Sequence, residues 1–562
     1  MAKKIISLLL VFVTVAITNS CTKLKEQVLD ESSVAGLTDR QQAEGITVPI
    51  YAKLEDVFLH TNYFDMQEIS TDEAILPFRG GKDWDDNGIY VQMHKHELIS
   101  SDANVLLIWT NILTGLSRAV TAINALPSNK DDNAKVFLAE ARGMRAYYSL
   151  LTLDLFGLIF VKEVPTETSK ILRGEAAIEY IKSELLAVEP LLDNTTGTGR
   201  LTKAGVQGLL VRLYLNSAVY RNVYAPSVTF KNEEMDKVIE YCDKIINSGQ
   251  YALVADYFSI FNDNNHTNKE IIFAVDQRAD LNGHNRLAYF SLSGDQFPLA
   301  ATAASTANGT DGAAITPEFY RTWVNAYSPV DPAAADPRFY RKYYNIPADS
   351  CLPVALYNID RGILRGQQYG MLKGAIKCPN GNLKITKLFN CTRFNGAGCA
   401  LPVNFTEQID FTIAGSAYST GYRVSKYEFS KTSTDGRKFG EHDIVILRLA
   451  DIYLMRAEAK LRKGDAAGAL ADVNIVRAVR TAYSAPPPPL TSMSLDILFR
   501  ERGFELYWEM VRRTDMIRFG KYEGTWTEKT STDVKKRLMP IPLTAIDAAS
   551  NIPGYLIQND SY

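Results

Sequence analysis

ILRLADIYLMRAEAKLRKGDAAGALADVNIVRAVR, residues 446–480, decides the fold class. Ile446, Leu449, Ala450, Tyr453, Leu454, Ala457 and Leu461 recur three or four positions apart, the period of one helical face. Gly464 supplies the left-handed residue that ends a helix, and Asp465 is an N-cap for the next, where Ala466, Ala469, Leu470 and Val473 repeat the stripe. The stretch reads as a helical hairpin. Ala457, Ala459, Ala466 and Ala469 keep the facing surfaces low, so two antiparallel helices can approach closely. A third helix is expected beyond the prolines at 486–489, over RERGFELYWEMVRRTDMIRFG at 500–520.

The same pairing recurs upstream. A first helix is expected over 39–63, then helices from Asn104 to Pro127, over 134–157, 176–192, 202–220 and 234–248, the last stopped by Gly249. Repeated hairpins stacked in sequence imply a mainly α, tetratricopeptide-like helical solenoid, expected to be right-handed. Over 251–441 the periodicity is lost and Gly, Pro, Asn and Ser accumulate around short strands such as EIIFAV, so a loop-rich irregular region is inserted before the C-terminal helices. Irregular excursions on a rigid frame are where binding sites are usually built.

The 500–520 stretch resembles the signature E-R-x-x-E-L-x-x-E-G-x-R-x-x-D-L-x-R-W-G of the SusD/RagB family, outer-membrane nutrient-binding lipoproteins of Bacteroidetes. Glu501, Arg502, Glu505, Leu506, Glu509, Arg512, Asp515, Arg518 and Gly520 coincide with it; Met510, Met516 and Phe519 stand at its Gly, Leu and Trp. The charges are expected to form buried or half-buried ion pairs that fix helix register, and no catalysis is assigned to them. A second family pattern is matched by Glu140, Arg142, Arg145, Ala146, Tyr148, Leu151, Phe156 and Gly157, with Gly143 in place of a Phe. GRLTKAGVQGLLVRLYLNSAVY at 199–220 and the endings RLMPIPLTAI and IQNDSY resemble further family segments, so the likeness covers nearly the whole chain.

The N-terminus begins MAKK, runs apolar from Ile5 to Ile17 and reaches Cys21. This reads as a secretory signal peptide (1–20), too short to span a bilayer, followed by a cysteine that resembles a bacterial lipobox. Cys21 is the expected lipidation site and mature N-terminus, although Thr18 and Asn19 depart from the usual motif. The remaining regions are a lipidated linker (21–38), an N-terminal helical-repeat region (39–250), the loop-rich ligand-binding region (251–441) and a C-terminal helical region (442–562). Beyond the leader no membrane-spanning segment is expected, so the body is anchored to the membrane surface through lipid.

Lys and Arg number 61 against 64 Asp and Glu, a formal net charge of -3 that gives no basic footprint for nucleic acid. Cys242 lies in a helical run and reads as a buried thiol. Cys351, Cys378, Cys391 and Cys399 permit two disulfides in three connectivities in an exported chain, and lack the C-x-x-C pairs of zinc sites. His94 and His96 read as one face of an irregular strand, not as metal ligands. There is no G-x-S-x-G elbow, P-loop or H-E-x-x-H, and no metal or cofactor is expected.

STDEAILPFRGGKDWDDNGIY at 70–90 is similar to a family segment at Asp72, Arg79, Gly80 and Trp84. A tryptophan among Asp83, Asp85 and Asp86 is expected to be exposed or to cap a groove. Trp84, Tyr289 and Trp323 are the candidate stacking platforms, with Asp72 or Arg79 as polar supports; Phe290, Phe297, Tyr327 and Tyr343 are further aromatics of the region. The resemblance implies a non-enzymatic cell-surface glycan-binding lipoprotein working with a TonB-dependent SusC-like transporter. Alternatives are a RagB-type peptide-capturing protein and a secreted glycoside hydrolase.

Overall fold

A computed structural model describes residues 36–80, 83–278, 285–294, 296, 309–343, 350–353, 356, 358–370, 378–389, 402–409, 415–430 and 441–562. Cys21 with the leader and most of the linker, Phe297, Cys391 and Cys399 lie outside them.

Helix α1 (Asp39–Val57) opens on a capping box, Thr38 accepting from the Gln41 amide while Gln41 reaches back to the Thr38 amide. A short helix α2 (Ile89–Lys95) precedes α3 (Ala103–Ala125), α4 (Ala134–Phe156), α5 (Gly174–Val188), α6 (Lys203–Arg221) and α7 (Asn232–Asn247). α1 packs on α3, and from α3 each helix packs on the next, which is the stacking of a solenoid. Small residues set the spacing. A Cβ on Gly115 would meet the Tyr148 ring at 2.3 Å, and one on Gly143 would meet Leu201 at 2.4 Å, so the glycine that weakens α4 as an isolated helix is what lets its neighbours close on it.

α3 is long and apolar enough to cross a membrane by length and composition, contrary to the expectation from sequence. Half of it is buried in the solenoid, where α1 and α4 cover it.

After α7 the chain leaves the array, through helix α8 (Pro317–Tyr327), and returns at α9 (Leu449–Arg462), α10 (Ala466–Val479), α11 (Leu495–Leu506) and α12 (Arg512–Arg518). α9 packs on α7 as well as on α10 and α11, so the helical stack continues across the excursion. The strands are short and antiparallel, and those that matter for the site are β1 (Ala74–Ile75), β2 (Ile271–Val275), β3 (Ala314–Ile315), β4 (Arg361–Leu364), β5 (Arg423–Ser425) and β6 (Ile444–Arg448). They pair as β1 with β3, β2 with β6, and β4 with β5. Cys351 and Cys378 form a disulfide, one of the pairings open to the four cysteines, and Cys242 is a buried free thiol.

Three local readings change. Ile446 belongs to β6, whose five residues are all buried, so its apolar run has no face to alternate and mimics a helical stripe. His94 and His96 lie in and just after α2, not on a strand. The 500–520 stretch is two helices, broken where Trp508 and Met510 take φ of 64° and 60°. The break is tertiary in origin: the Trp508 amide donates to Glu73 at 2.7 Å and the Tyr507 hydroxyl to the Arg338 carbonyl at 2.9 Å. Met510 stands where the family pattern has glycine, and its left-handed backbone is the conformation a glycine there adopts freely.

The charges of that stretch are buried and paired. Glu505 accepts from Arg448, Arg480 and Arg338 at 2.8, 2.5 and 3.1 Å. Arg448 also reaches Glu270 and Glu509, both at 2.7 Å, while Arg338 binds Asp336 and Glu501. Arg502 joins Asp515 to Asp451, and Arg518 joins Asp515 to Glu458. Burial would raise the Glu505 carboxyl, but Arg480, Arg448 and Arg338 hold it well below the usual carboxylate range. Because breaking one buried partner leaves uncompensated charge, Glu505→Ala is expected to cost about 3–5 kcal/mol, read as a lowered guanidinium midpoint; a shift under about 1 kcal/mol would contradict the network's role.

Candidate functional site

The candidate site grows from the segment after α1. A kinked helical stretch (His60–Ile69) leads to Asp72 and Glu73 at the foot of β1. Asp72 receives Arg512 through two bonds of 2.7 and 2.8 Å, so it is an anchor of α12 and not a support turned to a ligand. Glu73 accepts the Trp508 amide. Beyond β1, Arg79 is fully buried and donates to the carbonyls of Gly312, Ala417 and Thr420, tying two segments of the excursion together. Its backbone pairs with that of Asp83 through bonds of 2.7 and 3.0 Å. Gly80 has a φ of 57°, and a Cβ there would meet the Tyr418 ring at 2.4 Å, so this position needs glycine twice over. The Tyr418 hydroxyl in turn donates to Asp83 at 2.8 Å.

The Arg79–Asp83 pairing places Trp84. The residue has a φ of 64°, and Asp86, Asn87 and Gly88 follow it at positive φ, a run of strained backbone of the kind that persists where the surroundings over-determine it. The indole is half-buried. Its Nε1 donates to the Thr310 carbonyl at 2.8 Å, its ring meets the edges of His60, Tyr90 and Phe290 at 5.2–5.7 Å, and the Arg286 guanidinium lies 5.3 Å from its centroid. Asp85, Asp86 and Asn87 beside it are exposed. The arrangement offers a fixed, partly open aromatic surface with carboxylate and amide acceptors around it.

The other two expected platforms are enclosed. Trp323 has no exposed surface: its ring stacks on Phe504 at 3.7 Å and meets Phe339 edge-on at 5.1 Å. Tyr289 is 2% exposed, in the core with Phe290. Both are aromatics of the excursion and neither is a surface: Trp323 packs against Phe504 of α11, and Tyr289 is buried in the core. Arg286, Thr310 and Tyr418, which complete the Trp84 environment, carried no signal in sequence; they meet it only through folding.

The histidines are structural. His94 is fully buried between the carbonyls of Ile69 and Thr527, and His96, pushed down to about 3 by burial and by Lys529, stacks on Tyr522. Among the described residues no group of three or more His, Cys, Asp or Glu could hold a metal ion. Under the site, Glu68 and Glu73 are buried together. Burial pushes Glu73 up to about 7, partly offset by Arg512, and Glu68 is raised by burial and by Glu73. Neither carboxyl is accessible to a bound molecule.

Residues 410–562 match the family model described as SusD family. Over 531 residues the chain is 24% identical to starch-binding protein SusD of Bacteroides thetaiotaomicron, covering 89% of this chain and 85% of that one. The chain is SusD-like. Its fold agrees with a SusD superfamily protein from Parabacteroides distasonis, at TM-score 0.67 and 18% identity over 94% of this chain and all of that one. It agrees also with surface glycan-binding protein A of Bacteroides thetaiotaomicron, solved with laminarihexaose, at TM-score 0.62 and 19% identity over 92% and 99% of the two chains. The tetratricopeptide-like architecture read from the hairpins is therefore the SusD-like one, and the paired charges of 501–518 lie within the matched segment.

Two outcomes are expected. Trp323→Ala should cost about 3–5 kcal/mol in denaturant titrations, as for any enclosed large aromatic; a near-neutral effect would place it at the surface. The folded chain retains a proton on Glu73 that an unfolded glutamate, with pKa about 4.3, releases. Its contribution to stability is therefore full below about pH 4 and is lost as pH rises through about 7. Glu73→Gln keeps an oxygen for the Trp508 amide and has no proton to lose, so its stability relative to wild type should rise across that interval; a pH-independent difference would contradict the raised pKa.

Proposed function

We propose that this chain captures oligo- or polysaccharide at the cell surface and delivers it to a TonB-dependent, SusC-like outer-membrane transporter. The observation that carries the reading is the Trp84 loop: an indole held half-open, with exposed Asp85, Asp86 and Asn87 around it, on a SusD-like frame. Sugars present apolar ring faces and dense hydroxyls, and an aromatic face beside carboxylate and amide acceptors matches both. Cys21 would hold the body at the outer membrane by its acyl chains, each buried methylene contributing about 0.8 kcal/mol. Binding is noncovalent and the chain is not an enzyme. In support, Glu68 and Glu73, the raised carboxyls beneath the loop, are sealed from a sugar.

Among the relatives, one is named for starch and one was solved with laminarihexaose, so the test spans α- and β-linked glucans. The chain from residue 22 is titrated with maltohexaose, laminarihexaose, other polysaccharides and peptides, with product analysis of every sample. Saturable sugar binding without products is expected, and Trp84→Ala should weaken it about tenfold or more while cooperative unfolding is retained. Peptide binding alone would favour the RagB-type reading; cleavage products would revive the hydrolase. Unchanged affinity in the Trp84 variant would remove that loop from the site.

A further inference from the structure

A concavity of about 470 Å³ lies between the segment before β4 and the turn that follows α10, and shares no residue with the Trp84 loop. Its size falls within the roughly 300–1,000 Å³ of small-molecule sites. Asp256, Tyr340, Arg341, Lys342, Tyr483 and Ser484 line it. Tyr483 is 73% exposed, more than any other large apolar or aromatic side chain among the exposed ones described. It sits at a φ of 69°, a conformation that a bulky residue rarely takes. The turn is pinned there by the Ala482 amide, which donates to the Ala255 carbonyl at 3.2 Å, and by Arg480, which donates to the Val254 carbonyl at 2.6 Å.

Below the ring, the Arg341 guanidinium lies 3.7 Å from the Tyr483 centroid and 4.3 Å from that of Tyr343. Its Nη1 donates to both carboxylate oxygens of Asp256 at 2.8 Å, while its Nε and Nη2 have no partner among the described residues. Lys342 is exposed on the rim, and Asp331, held by Arg365 at 2.9 Å, stands opposite. The groove therefore combines an open aromatic face, fixed guanidinium donors with unused N–H groups, and carboxylate acceptors whose charge is already balanced. A ligand with an apolar ring face and many hydroxyls would use every one of these groups.

We propose that this groove is a second saccharide site, which takes a sugar ring on the open face of Tyr483 and bonds its hydroxyls through Arg341, Asp256 and Lys342. The proposal rests on the glycan-capturing reading and adds to it: two separated sites would grip one long polysaccharide at two points, raising avidity without any new contact at either.

The test uses an array of neutral and uronate-containing oligosaccharides probed with wild type, Tyr483→Ala, Tyr483→Phe and Trp84→Ala, followed by calorimetry on the sugars that bind. Two sites per chain are expected in wild type, falling to one in Tyr483→Ala and restored to two in Tyr483→Phe; binding to a long polysaccharide should weaken about tenfold or more in Tyr483→Ala. One site per chain that Tyr483→Ala abolishes and Trp84→Ala spares would also support the groove. One site that Trp84→Ala abolishes and Tyr483→Ala leaves unchanged would overturn the groove and keep the glycan reading. Silence of wild type across the array would overturn both.

Discussion

A buried arginine–carboxylate network is the constraint on which the rest of this structure depends. Glu505 alone serves three arginines, Glu501 and Glu509 extend that set to α10 and to the end of β6, and a second set of pairs through Asp515 and Glu458 joins α9, α11 and α12. Taking each ion out of water costs several kcal/mol, repaid only when geometry is good and every remaining group is bonded. Such a network is worth having complete and ruinous in part. It also reaches outward into the excursion: Glu270 at the foot of β2 binds Arg448 and Arg480, Arg338 beyond α8 binds Glu501 and Glu505 of α11 with Asp336 beside it, and Lys426 beyond β5 binds Glu509. The loop-rich region is fastened to the solenoid by charge as well as by packing.

That fastening governs what is left for ligands. Trp323 is spent on the seam between excursion and helices, Tyr289 is buried in the core, and Arg79 and Asp72 hold backbone and α12. Among the aromatic side chains left accessible are Trp84 on its strained loop and Tyr483 after α10. A rigid frame with aromatic residues at its pinned turns needs little rearrangement to bind, which limits the ordering entropy that binding must overcome.

The frame was legible in the sequence for a physical reason. Helical hairpins bury a stripe of period 3.6, so 103–125, 134–156, 203–221 and 466–479 announce themselves locally, as do stops such as Gly249 and Gly464. The pairing of Glu501, Arg502, Glu505 and Arg518 was legible too, because alternating opposite charges among large apolar residues leave few other fates. The break at Trp508 and the strand at 444–448 were not, since both are set by partners far away in sequence, Glu73 and β2. The same holds for the site. Trp84 was readable because its own neighbours are acidic, whereas burial of Trp323 depends on Phe504 and exposure of Tyr483 on a turn held by Ala255 and Val254.

The central claim is that a charge-locked helical frame stays fixed while pinned aromatic turns take the glycan. Hydrogen–deuterium exchange of the chain with and without a bound oligosaccharide tests it most directly. The account predicts new protection at 83–88 and at 340–342 with 482–484, and unchanged exchange in α9, α11 and α12. Protection spread along the solenoid helices, with none at either turn, would contradict it.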